Sequence, residues 1–180
     1  MLLGVKRSMV ELLDHNTQWE EKADELINSL KELLINYVID IQHIGSTAIK
    51  SIKAKPIIDI LVGIINFDNI DIIKDKLEQN KIIHRPNNDR EDYRFFVIDR
   101  EKEIRTHHIH IVKHNNEEWN NIINFRDYLI NNFEEAKSYE KLKIELYKEN
   151  KNNRRAYLMG KEEYILEIFK KAKEWRENKT

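Results

Sequence analysis

The sequence predicts an α/β chain. β-branched runs interleave with amphipathic helical stretches as far as residue 114, and only helical spacing recurs over 115–180. A third observation concerns what such a fold would carry. Asp59 stands inside the apolar run Ile57-Ile58-Asp59-Ile60-Leu61, where an ionised carboxylate needs a hydrogen bond, a counter-charge or a cation. With 180 residues, the chain suits one compact unit: an α/β core over 1–114 and a helical segment over 115–180 packed on it.

The elements follow in order. Thr17-Gln18-Trp19-Glu20 has the capping-box spacing, so a helix is expected from there to the mid-thirties, with Trp19, Ala23, Leu26, Ile27, Leu30, Leu33 and Leu34 on its apolar stripe. Tyr37 to Ile44 alternates as a strand does and ends at Gly45. Ser46 to Ile52 suits a short helix, which Lys55-Pro56 breaks before a covered strand over Ile57 to Ile64. Asp68 or Asn69 can cap a helix running to about Gln79. The polar stretch Arg85 to Asp92 reads as a surface loop. Tyr93 to Ile98 and Ile104 to Val112 read as a hairpin whose turn is the charged Asp99 to Glu103. Helices follow on Trp119 to Leu129, Ala136 to Leu146 and Tyr157 to Trp175, with a loop over Lys148 to Arg155.

Composition narrows the classes of function. The chain has 31 basic and 32 acidic residues, a net charge of −1 and no Cys. Interspersed charge of both signs offers no footprint for nucleic acid or for an anionic membrane. No run of about 20 apolar residues is present, and no leader is apparent. The expectation is a cytoplasmic protein without thiol chemistry, whose partner is a small molecule.

Three groups of residues could carry chemistry. Gly45-Ser46-Thr47 joins a strand to a helix start, a turn that lets backbone approach an anion, although it lacks the Walker spacing. Asp59 can ligate a divalent cation, or it can be a structural acid paired with Lys55. In Arg105-Thr106-His107-His108-Ile109-His110-Ile111-Val112, alternation puts His108 and His110 on one strand face, placed to share a metal or to act as an acid–base pair. Val112 occupies the third His position of a His-x-His-x-His motif, which argues against the histidine-triad proteins.

Taken in order, "HIGSTA", "AKPIIDILVGI", "RFFV", "THHIHIV", "EEWNNIINFRDYL" and "AYLMGKEEYI" resemble the GrpB-like family of the nucleotidyltransferase superfamily typified by DNA polymerase beta. The resemblance runs from about Val10 to Trp175. It implies a mixed sheet with helices on one face and a C-terminal helical bundle closing over a cleft. It implies a nucleoside triphosphate or another phosphorylated small molecule as ligand, with Gly45, Ser46 and Thr47 at the phosphates. Asp59 would hold magnesium, and Lys161, Arg94 and Arg126 are basic candidates for phosphate contacts. The superfamily's second carboxylate falls on Leu61, a departure that puts two-metal chemistry in doubt. His108 and His110 could complete a single site with Asp59, and imidazole makes manganese or zinc plausible beside magnesium. His110 is the candidate base. The implied reaction is nucleotidyl transfer to a small acceptor; a non-catalytic nucleotide-binding sensor and a metal-dependent phosphohydrolase are the alternatives.

Overall fold

A six-stranded mixed sheet carries helices on both faces. The computed structural model describes residues 3–6, 9–101, 103–151 and 153–179. Its elements are β1 (Val5–Lys6), α1 (Gln18–Leu33), β2 (Val38–Ile44), β3 (Ile58–Ile64), α2 (Ile70–Gln79), β4 (Ile83–His84), β5 (Tyr93–Glu101), β6 (Ile104–Lys113), α3 (Glu117–Asn131), α4 (Phe133–Glu149), α5 (Arg154–Met159) and α6 (Glu162–Glu177). The α/β class and the mixed sheet are therefore as the sequence indicates. No helix among the described residues is long and apolar enough to cross a membrane.

Across the sheet the strand order is β2-β3-β6-β5-β4, and β1 pairs with the start of β6. β3 and β6 run parallel; the other pairings are antiparallel. Alternation along β3 then divides the core. Ile58, Ile60, Val62 and Ile64 join Trp19, Ala23, Ile27 and Leu30 of α1 and Ile73 and Leu77 of α2 on one face. Leu61 turns the other way, against Ile44, Val112 and Trp119 of α3. Gly63 leaves the room that Trp119 fills: a Cβ there would lie 2.6 Å from Trp119 Cζ3 and 2.9 Å from His114 Cδ2.

Several boundaries differ from those expected. Thr17 does not cap α1: its backbone is already helical, with φ −57° and ψ −28°, and its side chain makes no cap bond. Asn16 Oδ1 instead accepts from Gln18 N at 2.9 Å, one position earlier. The helix expected over Ser46 to Ile52 is a single 3-10 turn, Ser46–Ala48. The hairpin strands extend through the charged Asp99, because Arg105 Nε and Arg85 Nη2 hold its carboxylate at 2.7 and 3.3 Å. β1 and β4, two residues each, were not foreseen. The loop expected over Lys148 to Arg155 is shorter than that, since α4 runs to Glu149 and α5 begins at Arg154. The last helix is broken in two at Gly160-Lys161.

Candidate functional site

The register of the central strands builds the site. Asp59 of β3 is directly opposite His108 of β6 on one side and Ile44 of β2 on the other, while Phe95 of β5 pairs with His110. All point to the face away from α1. His108 Nδ1 lies 2.8 Å from Asp59 Oδ1; a carboxylate only accepts, so the imidazole proton sits on Nδ1 and is donated to it. His110 Nε2 is 3.6 Å from the same oxygen, and its Nδ1 is 2.7 Å from the Tyr93 hydroxyl. Phe95 braces both imidazoles, with ring centroids 5.2 Å from each.

Gly45 closes the other side of the carboxylate. Its φ of 70° is left-handed, and a Cβ there would run into Asp59, so the turn can pass this close only as glycine. Burial works against the charge on Asp59, but the hydrogen bond from His108 and the neighbouring His110 outweigh it, and the carboxyl is held well below the usual carboxylate range. Protein surrounds Asp59 on all sides, yet 24 % of its side chain stays accessible, through a cavity.

That cavity, of about 400 Å³, joins the sheet to the C-terminal helices. Gly45, Ser46, Asp59, His108 and His110 line one end, and Lys143 of α4, Arg154 of α5 and Lys161 of the turn before α6 reach in from across it, with Lys55. Four cationic side chains thus surround one carboxylate among the described lining residues. Lys143 is almost wholly buried; its Nζ donates to Ser46 Oγ at 3.2 Å and to the carbonyl of Lys53, and lies 4.8 Å from the centre of the Tyr139 ring. Burial lowers it to about 7, helped by the charge of Lys161. Burial likewise lowers Lys161 to about 8, and burial with Arg154 and Lys161 lowers Lys55 to about 8. Cations that repel one another in a hollow are what an anion would relieve.

Of the residues singled out from sequence, Gly45, Ser46, Asp59, His108, His110 and Lys161 meet here. Lys55 lines the cavity too, but among the described residues the bonded partners of Asp59 are the imidazoles. Thr47 also lines the cavity; it is buried, and its hydroxyl is 2.9 Å from His43 Nε2. Arg94 is not part of the site. Strand parity sends it to the opposite face, where its guanidinium donates to the carbonyls of Arg90 and Tyr93 at 2.6 and 3.0 Å and stacks near Phe67. Arg126 is occupied in tying α3 to β2, through Gln42 Oε1 and the carbonyl of His43, each at 2.9 Å. Leu61, at the second-carboxylate position, is fully buried core.

Lys143, Arg154 and Tyr93 were missed. The signal for Lys143 was present: it falls seven residues after Ala136 and four after Tyr139, on the stripe where α4 should be apolar. Tyr93 carries no such mark, because only the pairing of β5 with β6 brings it to His110.

The donor set fits one divalent cation. Asp59, His108 and His110 each offer a ligand atom, all within 4.8 Å of one another. Tyr93 behind His110 is the kind of outer partner that fixes a ligating imidazole, whereas His108 Nε2, which is buried, has no such partner among the described residues. One carboxylate and two imidazoles suit manganese or zinc at least as well as magnesium.

Comparison with known proteins agrees with this chain's own motifs. The chain is 35 % identical to the glutamate-rich protein GrpB of Alkalihalophilus pseudofirmus over 171 residues, covering 93 % of this chain and 98 % of that one. A crystal structure of conserved protein GrpB from Enterococcus faecalis superposes with a TM-score of 0.84 at 29 % identity, covering 92 % of this chain and 99 % of the other. A structure of the Cid1 poly(U) polymerase bound to MgATP reaches a TM-score of only 0.46 at 9 % identity, over 72 % of this chain and 45 % of that one, a likeness too distant to bear on function. The model of the GrpB protein family matches residues 9–171, and with nearly its whole length accounted for in this way, the chain belongs to the GrpB family.

Proposed function

We propose that this protein binds a nucleoside triphosphate or another phosphorylated small molecule together with one divalent cation, and that it transfers a nucleotidyl group to a small acceptor. The observation that carries the reading is the convergence, in one cavity, of the Asp59–His108–His110 donor set with Ser46 and four cationic side chains. In this reading the phosphates lie against Ser46, Lys143 and Lys161, where they replace the mutual repulsion of the lysines by attraction. Asp59 and His108 would hold the cation, which would supply charge neutralisation at the phosphates. His110, its Nδ1 tied to Tyr93, presents Nε2 to the acceptor. The acceptor oxygen bonds to the α-phosphorus, diphosphate leaves, and the acceptor proton passes to His110. The Gly45-Ser46 turn placed before a strand acid is what the nucleotidyltransferase superfamily uses, which supports the same assignment.

Isothermal titration with manganese and then with ATP tests the binding. Asp59→Ala should weaken the cation by at least about tenfold, as removal of a charged ligand does. Unchanged affinity for both would overturn the reading.

Leu61 favours a second reading, in which the site binds without reacting. A single carboxylate leaves the two-cation arrangement incomplete, so a sensor that keeps the pocket has a physical basis. Diphosphate release from any nucleoside triphosphate, abolished in Ser46→Ala, would exclude it.

A further inference from the structure

The cavity has two chemically different ends. Ser46, Asp59 and the lysines make one; Ile122 and Phe125 of α3 with Ile165 and Phe169 of α6 make the other. Rings join them in short steps: Phe169 to Phe125 5.3 Å and Phe125 to Tyr139 5.8 Å between centroids, then 4.8 Å from the Tyr139 ring to Lys143 Nζ and 3.2 Å on to Ser46 Oγ. The four apolar side chains are only half-buried, although each lines the hollow, so apolar surface there stays uncovered. A hydrocarbon or an aromatic ring would take that surface out of water. The described lining includes no Asn, Gln or Glu. A nucleobase at this end would lose water from its amino, carbonyl and ring-nitrogen atoms without gaining a hydrogen bond from Ile122, Phe125, Ile165 or Phe169. Telling one base from another by hydrogen bonds requires those partners.

We infer that the preferred ligand is a phosphate or diphosphate ester of an apolar or aromatic group, with its phosphate at Ser46, Lys143 and Lys161 and its organic half between Phe125 and Phe169. This rests on the phosphate-binding part of the reading proposed above, not on its nucleotidyl-transfer step, and narrows that part: bases are accepted without selection, and a prenyl, alkyl or aryl ester binds better than they do.

Calorimetric titration of the full chain, with manganese present, compares inorganic diphosphate, the four common nucleoside triphosphates, geranyl diphosphate and geraniol. Geranyl diphosphate should bind at least about tenfold tighter than inorganic diphosphate and tighter than any of the triphosphates, and these should agree within about threefold. Phe169→Ser should remove that gain and leave inorganic diphosphate unchanged; Ile165→Thr serves if the first variant does not fold. Inorganic diphosphate bound without the geranyl gain, or one triphosphate about tenfold tighter than the other three, overturns this inference and leaves the phosphate reading standing. Binding of neither diphosphate overturns both, and geraniol binding as tightly as its diphosphate ester removes the phosphate half of the assignment.

Discussion

Lys143 is a cation held where water hardly reaches, with a serine hydroxyl and a carbonyl as its hydrogen-bond acceptors. Because burial lowers it to about 7, the unfolded chain holds a proton that the folded chain lacks between about 7 and the ordinary lysine range. Stability contributed through this group therefore rises with pH across that window and is lowest below it, where the folded chain buries the charge. In Lys143→Met the part of the rise due to this group should disappear, while Lys55 and Lys161, lowered to about 8, keep theirs. Urea midpoints taken at pH 6.5 and 9.5 should differ less in the variant than in the parent; an equal difference would mean that Lys143 titrates normally. His43 and His107, lowered to about 4 by burial on the α1 face, are neutral in the folded chain throughout; their unfolded imidazoles hold a proton only near the lower pH, and that contribution is the same in parent and variant.

Helix starts show how much of an element the sequence specifies. Asn116 caps α3 by accepting from Trp119 N at 2.8 Å, which also seats Trp119 over Gly63. Asn116→Ala should cost about 1 kcal/mol, whereas Thr17→Ala, at the better-looking cap motif, should cost only a few tenths because its hydroxyl makes no cap bond. Chemical denaturation of the two variants side by side checks this. The long elements were legible because their patterns are: Ile58 to Ile64 is a short apolar run closed by a Pro before it, Ile104 to Val112 alternates, and Trp19 to Leu34 repeats at helical spacing. β1 and β4 were not, since two residues contain no period. The break at Gly160-Lys161 was hidden because Tyr157 and Tyr164 stand seven apart and continue one stripe across it. At the site, alternation alone placed His108 and His110 together. It could not say which face of β5 joins them, so Arg94 was assigned to phosphate when its neighbour Tyr93 is the residue at His110.

At the scale of the molecule, the sheet is covered by two helical layers that meet it differently. α1 and α2 seal one face as ordinary core. On the other, α3 packs on the sheet through Trp119, Ile122 and Ile123 and is tied to β2 by Arg126, and the cavity lies between the sheet and the helices. Gly63→Ala would push Trp119 and His114 away from the sheet and should destabilise the fold by about 1–3 kcal/mol, as overpacking does. A urea midpoint unchanged from the parent would show that this contact is loose. The hollow itself is walled by strands on one side and by residues of α3 to α6 on the other, and among hydrogen bonds Lys143 to Ser46 crosses its polar end. Whatever occupies that space acts as a dowel driven between two boards: it grips both, and its presence would be registered as slower fraying of the terminal helices far from the atoms it touches.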